Sequence, residues 1–187
     1  MSGTPGVYHK HMTQRVAADP HWQVNCTAYT GAMLINDSVL GGLEGINGRL
    51  VRALSSEPTP DPASPGLNVI QIDAVCKRLR VPFYDKTGES WTKLKNYVGR
   101  EGASRAVLAL DYDVIQEKAP GVACQRTGSF SHAFLIINVN NGVVHASDPL
   151  CAVTKDYPEA VIRAAAIKQA DGGLFFGISR VVPKQCG

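Results

Sequence analysis

Three residues, Cys26, His132 and Asp148, have the types and order for nucleophilic catalysis. Cys26 lies in Gln23-Val24-Asn25-Cys26-Thr27-Ala28-Tyr29. Asn25 is a good N-cap residue, because its side-chain oxygen can accept a free amide proton of a first helical turn. That predicts Cys26 at the first helical position, where the partial positive charge of the helix end favours a thiolate. A thiolate is a nucleophile if a base lies within reach. His132 starts an apolar run, Ser131 to Asn138, and Asp148 follows it by sixteen residues. Asn140-Asn141-Gly142 between them is a strong hairpin signal. Antiparallel pairing then sets His132 roughly opposite Pro149, with Asp148 in reach of one ring nitrogen. A carboxylate there fixes the tautomer and leaves the other nitrogen for the sulfur. Singly, each residue has a plainer reading: a packed cysteine, a strand-end histidine, a turn aspartate. Their order, spacing and element types together favour a Cys-His-Asp triad.

Other groups carry weaker signals. His145 shares the hairpin and is a substitute base, and Cys151 follows Asp148-Pro149 closely enough to lie near the site. Asp111 and Asp113 share one side of a strand end, a weak calcium pair. His9 and His11 could face one side of an extended segment, without a third ligand nearby. Five cysteines with no C-x-x-C pair argue against structural zinc, and the odd count against a complete disulfide framework. Most are expected to be reduced and partly buried, Cys76 in the core and Cys186 as an incidental exposed thiol. No cofactor and no metal are expected.

The elements that must position the three residues can be read along the chain. A length of 187 residues fits one domain with a real core, and 44% hydrophobic against 19% charged residues is an ordinary globular balance. The net charge of +3, without a dense basic run, gives no reason for a nucleic-acid or membrane-surface partner. No stretch approaches the roughly 20 apolar residues of a membrane span. The start, Met1 to Gly6, lacks the apolar centre of a signal peptide, so export by that route is not expected. Residues 1–20 read as an extended arm, and residues 55–66, with four prolines in twelve positions, as a surface loop within one domain, 1–187. Amphipathic helices are predicted over Cys26–Asn36, Ile46–Leu54, Val69–Arg80 (capped by Asn68), Trp91–Val98 and Pro158–Ala170. Strands are predicted over Val81–Tyr84, Ala106–Leu110, Ser131–Asn138, Val143–Ser147 and Phe175–Val182. Helices gather in the first half and strands in the second. That is an α+β arrangement, a helical subdomain packed on an antiparallel sheet.

The helix-start Cys26, Ser131-His132-Ala133 opening an apolar strand, and Asp148-Pro149 resemble the papain-like cysteine peptidases. Within them the chain is most similar to the branch that processes double-glycine leader peptides in bacteriocin exporters, with its stand-alone and phage-associated relatives. The resemblance implies a papain-like fold and cleavage of a peptide bond. Cys26 would be the nucleophile, His132 the general base and acid, and Asp148 the orienting group. It also implies a peptide substrate, with a cell-wall peptide expected for a phage lysin or virion protein. Such a protein would be made in the cytoplasm and then ride in a particle or be released by lysis. The chain departs from the family's pattern in two places. The family's oxyanion glutamine falls at Pro20, which leaves Gln23 as the nearest candidate, and Asn25-Cys26-Thr27 stands where Asp-Cys-Gly is common. A catalytically silent structural or binding module, such as a virion component, is the alternative those departures favour. A thiol transferase would share the Cys-His-Asp order.

Overall fold

The computed structural model describes residues 11–16, 18–39, 43–61, 66–98, 104–124, 131–151, 153–168 and 171–181. Its helices are α1 (Cys26–Ser38), α2 (Gly48–Leu54), α3 (Val69–Arg78), α4 (Trp91–Val98), α5 (Tyr112–Lys118) and α6 (Glu159–Ala165). Its strands are β1 (Tyr84–Asp85), β2 (Ser104–Asp111), β3 (Ser131–Asn140), β4 (Val143–Ser147), β5 (Lys155–Pro158) and β6 (Phe176–Arg180). The strands form one antiparallel sheet in the order β1-β6-β2-β3-β4-β5. The fold is α+β, as expected, with β2 and β3 at its centre. Among the described residues no helix is long and apolar enough to cross a membrane.

Side chains alternate across a strand, so a central strand that is apolar throughout must be covered on both faces. Ala106, Leu108, Leu110, Phe134 and Ile136 pack with α4, α5 and α6. Val107, Ala133 and Leu135 pack with α1, α2 and α3. Helix α1, which begins at Cys26, therefore lies between the sheet and two helices, and all thirteen of its residues are buried. This corrects the expectation of an amphipathic helix: α1 has no solvent face to keep polar. Its polar side chains are bonded instead. Thr30 Oγ1 lies 2.8 Å from Cys26 O and 3.1 Å from Ala133 O, bridging the Cys26 turn to the strand residue after His132. At the other end Asp37 pairs with Arg105 of β2, Nε to Oδ2 at 3.0 Å.

Close packing also decides one glycine. A Cβ on Gly48, the first residue of α2, would run into the Tyr29 ring of α1. Gly48→Ala is expected to cost about 1–3 kcal/mol through overpacking, read as a lowered midpoint in thermal unfolding. A midpoint at or above wild type would show that the Tyr29 ring moves aside freely.

Several expected boundaries stand. Trp91–Val98 and Val143–Ser147 match, and Asn68 caps α3 through a reciprocal box with Gln71. Asn141 and Gly142 take φ of 50° and 77°, the double positive φ that a two-residue hairpin turn demands. The register is offset from the expected one: beside the turn Asn140 faces Val143, two residues away from it. A bulge between Ile136 and Asn138 inserts a residue into β3 and brings the offset to one near the site, where Leu135 faces Ser147 rather than Ala146. Three elements were misjudged. Asp111 is the N-cap of α5, a helix taken for loop, and its side chain accepts from the Asp113 amide at 3.0 Å. That occupies the proposed calcium pair with capping. Residues 155–158 form strand β5 because they pair with β4, so the expected helix Pro158–Ala170 shrinks to α6. The arm is more than a lead-in: the Gln14 amide and Thr13 hydroxyl donate to Pro149 O at 2.7 and 3.2 Å, beside the site.

Candidate active site

A 3-10 turn, Trp22–Val24, delivers the chain to Cys26 at the first position of α1. The carbonyl of Asn25 accepts the first helical hydrogen bond, from Tyr29, so the amides of Cys26, Thr27 and Ala28 have no acceptor within the helix. The Asn25 side chain makes no cap bond, which corrects the expectation for it. Its amide donates to Asp19 Oδ2 at 2.9 Å and its Oδ1 accepts from Arg52 Nε at 2.8 Å. Bonds to ionised partners are the stronger ones, and here they win over capping. Arg52 also donates to Val24 O at 3.2 Å, and its buried cation interacts with the charge of Cys26. Burial works against a thiolate at Cys26, but the His132 charge, its hydrogen bond and those of Thr27 outweigh it. The Cys26 pKa is lowered.

His132 is the second residue of β3 and is buried. Its Nε2 lies 2.7 Å from Asp148 Oδ1. Asp148 is wholly buried and accepts two further donors, the Leu150 amide on Oδ1 at 2.8 Å and the Tyr112 hydroxyl on Oδ2 at 2.9 Å. The Tyr112 ring stands edge-on to the imidazole at 5.0 Å between centroids. Burial pulls the His132 pKa down, but the Asp148 and Cys26 charges and their hydrogen bonds prevail, and it is pushed up to about 9. Nε2 is committed to Asp148, which leaves Nδ1 as the nitrogen through which the ring can act on Cys26. Both shifts favour a thiolate at Cys26 beside an imidazolium at His132, charges suited to a nucleophile and an acid.

Cys26, Thr27 and His132 open on one cleft of about 600 Å³, and Gln23 lines it from the 3-10 turn. Thr27 Oγ1 sits 3.9 Å from Cys26 Sγ. Its β-branched side chain thus occupies space at the nucleophile and also supports the anion. His145 is not brought to the site. It is exposed, with Nδ1 2.6 Å from Asp156 Oδ1. Of the His9–His11 pair, His9 lies outside the described residues, and His11 engages Ser147 Oγ and Cys151 O at 3.2 and 2.9 Å. Cys186 also lies outside them.

The cysteines hold the largest correction. Cys124 and Cys151 form a disulfide, and among the described residues the free thiols are Cys26 and Cys76. The sequence did not announce this pair, because a spacing of 27 residues does not reveal that the turn after α5 meets the Asp148 turn. Burial pushes the Cys76 thiol up to about 12, so it is inert packing, as expected. Cys124, Asp148 and Cys151 place their ligand atoms within 4.8 Å of one another, but the two sulfurs bond each other in place of a metal. Sequence reasoning also missed Asp19, Thr30, Arg52 and Tyr112. No local pattern marks them, since each acts through a partner distant in sequence.

No protein-family model matches the chain, and neither does any curated protein. Solved structures do. A C39-like peptidase from Bacillus anthracis aligns with a TM-score of 0.60 at 14% identity, over 94% of this chain and 96% of the other. The peptidase domain of Streptococcus ComA, a bifunctional ABC transporter involved in a quorum-sensing pathway, aligns with 0.57 at 12% identity, over 93% and 98%. The chain therefore has the papain-like fold of the C39-type peptidases, over nearly its whole length.

Proposed function

We propose that a chain with this fold is a cysteine peptidase that hydrolyses a peptide bond through Cys26, His132 and Asp148. The observation that carries the reading is a buried imidazole held at 2.7 Å by a buried carboxylate and charge-coupled to a helix-start cysteine on an open cleft. Cys26 Sγ attacks the scissile carbonyl carbon. The resulting oxyanion is met by the Cys26 backbone amide, with Gln23 as the side-chain donor. His132 Nδ1–H protonates the leaving amine, and the acyl-enzyme remains. His132 then takes a proton from water, which attacks the thioester and frees Cys26. Asp148 holds the ring throughout and stabilises its cationic form.

The substrate we assign is a cell-wall peptide, in a phage lysin or virion setting. A disulfide 3.3 Å from the orienting carboxylate suits an oxidising surrounding better than a reducing cytosol.

Treatment with iodoacetamide at neutral pH, followed by peptide mapping, tests the site. Fast, selective labelling of Cys26 is expected. Slow labelling, with Cys26 no faster than Cys76, would leave a fold kept for binding alone. Turnover should also depend on pH in a defined way. The His132 pKa of about 9 lies above its ordinary value, so the charged ring's contribution is complete below about 6.5 and is lost as pH rises through about 9. The Cys26 pKa is lowered, so the thiolate is lost only as pH falls through that lowered value. The profile of kcat/KM is expected to hold a plateau through neutrality and to fall near pH 9, with both limbs belonging to the coupled pair. A basic limb near 6.5 would contradict the buried ion pair.

A further inference from the structure

Asp148 is grasped from both ends of the Cys124–Cys151 disulfide. On one side the Cys151 amide donates to Asp148 O at 2.9 Å and the Leu150 amide to Oδ1 at 2.8 Å, which closes a tight turn around the carboxylate. On the other side stands Tyr112, fully buried, whose oxygen accepts the Cys124 amide at 2.8 Å. That hydroxyl has one proton and two acceptors, Asp148 Oδ2 at 2.9 Å and Cys124 O at 3.2 Å. The ionised, nearer acceptor wins it. Burial and the Asp148 charge raise the Tyr112 pKa, which keeps that proton in place. A continuous array results: Cys124 N–H donates to the Tyr112 oxygen, Tyr112 O–H donates to Asp148, and Asp148 also accepts from His132 Nε2–H. The disulfide ties its first member to the turn that holds its third. Cys151 Sγ lies 3.3 Å from Oδ2, and with the sulfur in the disulfide this contact carries no proton.

We propose that Tyr112 is a positioning residue for the Asp148–His132 pair and that the Cys124–Cys151 disulfide latches it there, making the site weaker when that bond is reduced. This rests on the peptidase reading of Cys26 and His132. Opening the latch needs a thiol reductant: a dithiol transfers two electrons and two protons, Cys124 and Cys151 become thiols, and the dithiol closes to its own disulfide. The segment carrying Cys124 then loses its covalent tie to the Asp148 turn and keeps the Lys155 contacts, Nζ to Val122 O at 3.1 Å and to Cys124 Sγ at 3.3 Å. The carboxylate keeps its donors on Oδ1 but loses the anchored one on Oδ2, and it can rotate away from the ring. The arrangement sets two opposing demands, since the nucleophile Cys26 must be reduced while the latch must stay oxidised.

The test compares oxidised protein, protein treated with dithiothreitol, the Cys124→Ser/Cys151→Ser variant and Tyr112→Phe. Two readouts are taken: the far-downfield proton resonance of the His132 ring N–H bonded to Asp148, assigned by its loss in His132→Ala, and the iodoacetamide rate at Cys26. The oxidised protein is expected to show the resonance, and the other three to lose it to exchange with water. Cys26 labelling should fall roughly 10- to 100-fold in them, the cost of a misplaced catalytic group. Should Tyr112→Phe not fold, as judged by near-UV circular dichroism, the dithiol-treated wild type decides. An unchanged resonance and labelling rate after reduction, with Cys124 and Cys151 shown alkylated, overturns the latch. Failure of the peptidase reading looks different: Cys26 in the oxidised protein labels slowly while the resonance is present.

Discussion

His132→Ala is expected to slow alkylation of Cys26 at pH 7 by at least about 100-fold and to abolish peptide turnover. Cys26 is 7% exposed, and burial alone drives a thiol pKa above its ordinary value. What reverses that in the folded protein is, first, the His132 charge and, next, its hydrogen bond. Without them the thiolate fraction at neutral pH drops to about 1% or less. Thr27 and the helix end remain and cannot replace a full charge at contact. Turnover suffers more than labelling because the leaving amine loses its acid as well. Asp148→Asn should give a milder labelling defect, since it keeps the shape of the side chain but removes the charge that supports the imidazolium. Labelling of Cys26 in His132→Ala at the wild-type rate would mean that the helix end and Arg52 suffice to activate the sulfur, and the base would have to be sought elsewhere.

Arg105→Met is expected to destabilise the fold by about 3–5 kcal/mol, a fall in melting temperature on the order of 10 °C for a chain of this length. Arg105 and Asp37 are 2% and 1% exposed and meet at 3.0 Å between β2 and the end of α1. Arg105 also donates to Ile137 O at 3.3 Å, at the bulge that interrupts β3. Burial lowers its pKa, and the Asp37 charge and hydrogen bond oppose that, so the two ions depend on each other. Removing one strands a carboxylate in the core. The Arg105→Met/Asp37→Leu pair should recover much of the loss, because two apolar side chains leave no buried charge behind. Calorimetric or denaturant unfolding of the two variants checks both statements. A single variant as stable as wild type would show that water reaches Asp37.

The pair also shows where sequence reading stops. Asp37 and Arg105 lie 68 residues apart, and neither neighbourhood marks a buried ion. The same holds for Asn25, whose type promised a cap. A cap is a local choice, and it was overridden by Asp19 and Arg52, charged partners supplied from outside the helix. Strand β5 was missed because its four residues have no alternation of their own and exist by pairing with β4. The hairpin, by contrast, was legible to within two residues of register, since Asn141 and Gly142 favour the positive φ the turn requires. A bulge in β3 takes back one of those two residues, and it depends on how β3 meets both neighbours.

From its sequence alone, the chain declares an ordinary globular composition with an α+β pattern, helix starts at Cys26 and Asn68, the β3–β4 hairpin, and the order Cys26, His132, Asp148. These are local features, written in residue types and short periods. Only the tertiary structure placed Tyr112 on Asp148, Arg52 behind Cys26 and Cys124 on Cys151. Each of those joins segments dozens of residues apart, in a buried setting where burial and neighbouring charges shift Cys26, Arg52 and Tyr112. Spacing along the chain records neither of these things.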